Sequence, residues 1–183
     1  MSAKTLPPIE YLRERLDYDA DTGVLTWRKQ PLDAFATVSE GNRWNTRYAG
    51  EAAGYVRSDG YLDFRIDGRR FLAHRVAYAI AAGVDPGTMQ IDHIDGDRLN
   101  NRISNLRSAT KSENMQHRVG QDAKNTSGFR GVYRHRRGWL AQVKHNGKQY
   151  SFGTYPTREQ AAEAAKAARA HLFGEFAGID EVD

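Results

Sequence analysis

A chain of 183 residues, 39% hydrophobic and 27% charged, has the make-up of a soluble globular protein of one domain or two small ones. It has no cysteine, which excludes disulfides, thiolate zinc clusters and cysteine nucleophiles, and leaves His, Asp, Glu and Asn as metal ligands. The longest apolar run, 76–84, is far short of the roughly 20 residues of a membrane span, and residues 1–10 lack the basic-then-apolar form of a signal peptide, so an intracellular protein without a membrane partner is expected.

The net charge of +4 is unevenly placed. Residues 1–122 balance, with 17 Lys/Arg against 17 Asp/Glu, whereas 123–158 hold eight Lys/Arg and no acid, and 159–183 carry a net −4. An all-basic block of 36 positions is the electrostatic footprint expected for a nucleic acid.

Along the chain, Ile9, Leu12 and Leu16 have helical spacing, and 19–27 read as a turn at Thr22-Gly23 followed by a strand at 24–27. Residues 28–49 show no period. Residues 61–66 alternate, Asp67-Gly68 is a hairpin turn, 69–72 return as the partner strand, and a helix over 73–82 is stopped by Gly83 and Pro86. After a short strand at 90–93, a loop rich in Asp, Asn and Arg runs to Leu106. Thr110 and Glu113 have capping-box spacing, so a helix should start there and carry Asn114 and His117.

Residues 119–127 read as a linker. Beyond it, 129–135, 139–145 and 148–155 read as three strands joined by turns at Arg137-Gly138 and Asn146-Gly147, and Thr157 caps an alanine-rich helix with Ala161, Ala164, Ala165, Ala168 and Leu172 on one face.

A strand ending in Asp92-His93, a polar loop, and a helix presenting Asn114 then His117 can supply a carboxylate, an imidazole and an amide for phosphodiester hydrolysis with one hard cation. His93 is the natural neutral base near pH 7. Neighbours on a regular strand point to opposite faces, so Asp92 and His93 can serve one phosphate only if the strand ends or twists there, which the Asp95-Gly96 turn allows. Composition alone would make 92–101 a polar surface loop, and no calcium-loop register fits it.

The segments AHRVAYAI (73–80), IDHIDGDRLNNRISNLRSAT (91–110) and SENMQH (112–117) resemble the HNH nuclease family of phage and intron-encoded homing endonucleases, and DYDADTGVLTWR (17–28) resembles the segment often found before such cores. The resemblance implies a ββα-metal core. In it Asp92 and Asn114 are metal ligands, His93 is the general base, and Asn105 braces the loop and orients that histidine. Asn114, where many relatives have His, points to the homing-type branch and a weakly held Mg2+ or Mn2+. His117 is either a metal or phosphate contact or an exposed helix residue. His74, on an apolar helix, reads as a packed histidine or a phosphate contact rather than a ligand.

Alternation sorts the basic block into two faces. Val132, Ala141, Val143, Tyr150 and Phe152 would meet the alanine-rich helix, and Tyr133, His135, Gln142, Lys144, Gln149 and Ser151 would stay open, as a β element entering a DNA major groove requires. Residues 128–168 are similar to the Apetala-two/ethylene-response-factor DNA-binding domain. By that resemblance Arg130, Tyr133, His135, Gln142, Lys144, Gln149 and Ser151 take the DNA-facing positions, with Arg134, Arg136, Arg137 and Lys148 close by for phosphates. The plant members are rich in Arg and Trp where this chain has Tyr133, His135, Gln149 and Ser151.

The expected fold class is α+β, with an HNH core in 1–118, a linker at 119–127, a three-stranded antiparallel sheet packed on one helix in 128–178, and an acidic tail at 179–183. The expected function is that of a homing-type, metal-dependent endonuclease on double-stranded DNA, monomeric, without a small-molecule substrate, phage-encoded and acting in the cytoplasm of a bacterial host. The rival is a DNA-binding regulator with an inactive HNH module, which would need neither a cation nor His93.

Overall fold

The apolar spacing at the start of the chain closes into α1 (Ile9–Arg15), where Leu12 is fully buried, in a computed structural model that describes residues 5–117 and 125–178. The expected acidic tail and most of the expected linker lie outside the described residues. The chain passes directly into β1 (Leu16–Tyr18), which pairs antiparallel with β2 (Leu25–Trp27), Tyr18 opposite Leu25. Asp19 builds the turn, its carboxylate accepting from the N–H groups of Asp21 and Thr22. Three residues are too few to show alternation, and so β1 had no signature in the sequence.

The stretch without a period contains α2 (Val38–Tyr48). Its one buried residue is Gly41, so it lacks the apolar stripe that sequence reading relies on. Then β3 (Tyr55–Val56), β4 (Leu62–Ile66) and β5 (Arg69–Leu72) form an antiparallel meander, with Asp67 and Gly68 both at positive φ in the last turn. Next comes α3 (Ala73–Ala82), which ends where Gly83 turns left-handed at φ 71°. Six of its ten residues are buried, because α1, β1, β4 and β5 all pack on it. Leu12, Leu16, Leu25, Phe64, Phe71, Val76, Ile91 and Leu106 share this one core.

The polar loop is closed by two strands rather than one. β6 (Gln90–His93) pairs antiparallel with β7 (Leu106–Ala109), so Asp92 faces Arg107 and His93 faces Leu106. The chain divides into two compact units, Met1–Ala109 and Thr110–Asp183.

The second unit opens with α4 (Lys111–Gln116). Thr110 and Glu113 form the reciprocal capping box that their spacing predicts, and His117 stands at the C-cap rather than within the helix. β8 (Val132–His135), β9 (Gly138–His145) and β10 (Lys148–Tyr155) then form an antiparallel sheet in the order β10-β9-β8. The second hairpin turns at Asn146-Gly147, both at positive φ. α5 (Arg158–Phe173), capped by the Thr157 hydroxyl, lays Ala161 and Ala165 against Val132 and Ala141. Methyl-sized residues on both sides allow that close approach. Tyr150, expected on the covered face, is 40% exposed on the outer strand β10.

Candidate active site

The end of β6 gathers the polar groups of the first unit. Asp92 is 7% exposed, His93 3%, Asn101 2% and His74 5%, so four polar side chains are buried here. The Asp92 carboxylate lies across the β6–β7 register from Arg107, whose Nε donates to Oδ2 at 2.9 Å while Nη2 stands 2.8 Å from the same oxygen as an ion pair. This ion pair fixes the carboxylate's orientation and offsets its charge. It follows directly from β7, the strand that the sequence did not disclose.

The regular strand stops at His93, and a turn follows in which the Gly96 N–H donates to the His93 carbonyl at 3.0 Å. Asp92 and His93, adjacent in sequence, therefore have different surroundings. The His93 ring lies edge-on to His74, with centroids 5.1 Å apart, and 6.1 Å from Tyr61, which also contacts His74. Its Nε2 is 3.0 Å from the Asn101 amide oxygen. An amide oxygen only accepts, so Nε2 carries the hydrogen and the neutral ring keeps its lone pair on Nδ1.

The His74 imidazole is uncharged at neutral pH. Burial, then the neighbouring His93 and Arg75, pushes it down to about 3. It is buried on α3 among apolar neighbours.

Asn105 holds the loop. Its Nδ2 donates to the Asp95 carboxylate and to the Asn100 carbonyl, both at 2.8 Å, its Oδ1 accepts from the Asp95 N–H, and its carbonyl accepts from the Ile94 N–H at 2.9 Å. Burial acts to raise the Asp95 carboxyl, but hydrogen bonds from Asn100, Asn105 and the Asp97 N–H, together with His93, outweigh it and hold its pKa below the usual carboxylate value. The residue that meets the His93 ring is Asn101. Nothing in the run Leu99-Asn100-Asn101 distinguishes it from its neighbour before the fold is known.

Within the second unit, Asn114 lies on α4 and His117 is buried at its C-cap. Arg130 is engaged in the fold, donating to the main-chain carbonyls of Gln116 and Ala177 at 2.6 and 3.2 Å. Tyr133, Arg134, Lys144, Gln149 and Ser151 are exposed on the sheet, while His135 and Gln142 are half-buried. The Arg134 guanidinium lies 5.2 Å over the Trp139 ring, which fixes it on the surface without removing its charge.

Among the described residues no three His, Asp or Glu side chains converge as a metal cluster, and no helix is long and apolar enough to cross a membrane. The donor set expected from the sequence, the Asp92 carboxylate and the Asn114 amide oxygen with His117 as a further candidate, is not a cluster of that kind. Its oxygen chemistry suits a hard cation that keeps several waters, and Arg107 holds the carboxylate still.

The family described as HNH endonuclease matches residues 71–116, from β5 to the end of α4. An uncharacterized HNH endonuclease of Acanthamoeba polyphaga mimivirus is 34% identical over 130 residues, 70% of this chain and 67% of that protein. Protein 3.8 of Escherichia phage T7 is 35% identical over 106 residues, 57% of this chain and 86% of its own length. A second uncharacterized HNH endonuclease of the mimivirus is 31% identical over 102 residues, but only 26% of its length is covered. No solved structure matches significantly.

Proposed function

The chain belongs to the HNH endonuclease family and is a nuclease of the hydrolase class, and we propose that it is a homing-type, divalent-metal-dependent endonuclease that cuts double-stranded DNA. The observation that carries the mechanism is the hydrogen bond between His93 Nε2 and Asn101, which leaves Nδ1 as the basic nitrogen. In the proposed reaction His93 Nδ1 takes a proton from water, and the resulting hydroxide attacks phosphorus in line with the departing 3′ oxygen. Asp92 is the first residue assigned to hold the cation, oriented by Arg107. Asn114 is the second, on its motif position alone. When bound, the cation, Mg2+ or Mn2+, supplies charge stabilisation for the phosphate and the leaving oxygen. His117 remains a phosphate or metal contact by motif position, and His74 packs behind the base.

The second unit is proposed as the DNA anchor. Its support is the all-basic block, of which Arg134, Arg136, Arg137, Lys144 and Lys148 are exposed on or beside an open sheet. Tyr133, His135, Gln142, Gln149 and Ser151 on the same sheet are the proposed contacts to bases and backbone, and Arg130 braces the module through its two carbonyls. A phage-encoded enzyme acting in the host cytoplasm fits the phage T7 relative. The regulator reading has no observation in its favour.

Purified protein incubated with supercoiled plasmid in magnesium, manganese or chelator tests the reading. Cleavage should need the cation, and His93→Ala should slow it by about 10² to 10⁴ with DNA affinity nearly unchanged. Cleavage that persists in chelator would remove the metal, and an unaltered rate in His93→Ala would remove the base.

A further inference from the structure

The hairpin of β1 and β2 precedes the HNH motif in the chain, yet it hydrogen-bonds to the motif's loop, and one of those contacts is at Asn101. The Tyr18 hydroxyl donates to the Asn101 carbonyl at 2.8 Å, across 83 residues of sequence. Two residues later in the loop, the Ile103 N–H reaches the Ala20 carbonyl at 3.4 Å. Between these contacts Gly23, buried in the turn at φ 77°, lies flat against the loop backbone: a Cβ there would stand 2.5 Å from both the Asn101 carbonyl carbon and the Arg102 nitrogen. No real Cβ is accommodated at that distance, and an L-residue rarely adopts that φ, so Gly23 is needed twice over.

The other end of Asn101 meets His93. Its amide oxygen is the partner of Nε2, in a buried setting where a missing partner would leave a polar group unsatisfied. The hairpin thus holds the Asn101 main chain from behind while the Asn101 side chain holds the imidazole in front. Asn105, by contrast, ties Asp95 and Asn100 and contributes to the shape of the loop.

We propose that Tyr18, Gly23 and Asn101 are positioning residues for the nuclease reaction: the β1–β2 hairpin fixes Asn101, and Asn101 fixes the Nε2–H tautomer and orientation of His93. This rests on the reading of His93 as the base. None of the three touches substrate. Their effect belongs in the turnover number rather than in DNA affinity, because a misaligned base slows proton transfer without removing a DNA contact.

The test uses the full-length protein, supercoiled plasmid with manganese, and the 15N resonances of the histidine rings. Wild type should show the His93 Nε2–H tautomer. Asn101→Ala should mix the two tautomers and lower kcat about 10- to 100-fold with KM unchanged, and Asn101→Asp, which keeps an acceptor oxygen, should restore the tautomer and most of the rate. Tyr18→Phe keeps the ring and removes only the hydroxyl, so it should fold normally and lower kcat by about 3- to 10-fold. Gly23→Ala should do more, and if it fails to fold, Tyr18→Phe decides. A wild-type tautomer and kcat within two-fold of wild type in Asn101→Ala and Tyr18→Phe, with His93→Ala inactive, would overturn the positioning chain while leaving the base in place. A fully active His93→Ala, alongside a His93 tautomer that is lost in Asn101→Ala, would overturn the base and keep the chain of contacts.

Discussion

His74 carries no charge in the folded protein at neutral pH, and this has a consequence for stability. Its pKa is about 3 when buried against Tyr61 and His93, and about 6.5 in an unfolded chain. Between those values the unfolded state binds the extra proton, so the contribution to stability is complete above pH 6.5 and falls as the pH drops towards 3. The slope is about 1.4 kcal/mol per pH unit for one proton. Urea unfolding at pH 7 and 4.5 should show a loss in wild type about 3 kcal/mol larger than in His74→Phe, which keeps a ring in the same space. Equal losses in the two proteins would show that His74 is protonated in the fold.

Arg107 gives a second prediction at this scale. Arg107→Met leaves the Asp92 carboxylate in place without the arginine, both being largely buried, and should cost about 3 to 5 kcal/mol of stability. A change below 1 kcal/mol in chemical denaturation would show that water replaces the guanidinium. The adjacency of Asp92 and His93, and the spacing to Asn105, could be read directly from the sequence because they are local. Asn101 and Arg107 could not, since each acquires its role by meeting a side chain that only the folded loop or the β6–β7 register brings near.

At the scale of elements, the sequence was readable where a stop signal or a period of hydrophobicity was strong. The Asp67-Gly68 and Asn146-Gly147 turns, the Gly83 stop of α3 and the Thr110 capping box all formed as their chemistry requires. β1 and β7, of three and four residues, were too short for alternation to register, and their partners in the fold supply the reason for their existence. α2 escaped for a different reason: with only Gly41 buried it lacks a stripe, yet Thr37 and Glu40 had the spacing of an N-cap and third helical residue. The cap is the signal that could have found it. Thr37 accepts from the Glu40 N–H at 3.1 Å, and Thr37→Ala should weaken α2 by about 1 kcal/mol. Amide exchange in 38–48 should then quicken about five-fold, with α3 unchanged. Exchange that quickens equally in α3 would mean that the two helices open together.

For the whole molecule, the proposed division of work between the two units follows the placement of their charge. The first unit holds Asp92, His93 and the loop that positions them, while the excess of positive charge lies in the second. Deleting the second unit is a poor test of this division, because α4 belongs to it and Arg130 holds the Gln116 carbonyl at the end of that helix. A charge variant in the full chain avoids the problem. Arg136, Arg137, Lys144 and Lys148 are exposed, and none of them makes a salt bridge among the described residues, so replacing all four with Gln should leave the fold intact. If about five cations of the basic block meet phosphates, wild-type affinity should fall with a log-log salt slope near −4.5, roughly 500-fold between 50 and 200 mM salt. Each lost contact removes about 0.9 from that slope, so the fourfold variant should approach about −1. Its kcat on saturating plasmid should stay near wild type, since His93 and Asn101 are untouched and the cost falls on binding. A variant that keeps the steep slope would move the DNA anchor to the arginines of the first unit, and one that keeps its affinity but loses kcat would show that the basic sheet aligns the scissile phosphate instead of only holding the duplex.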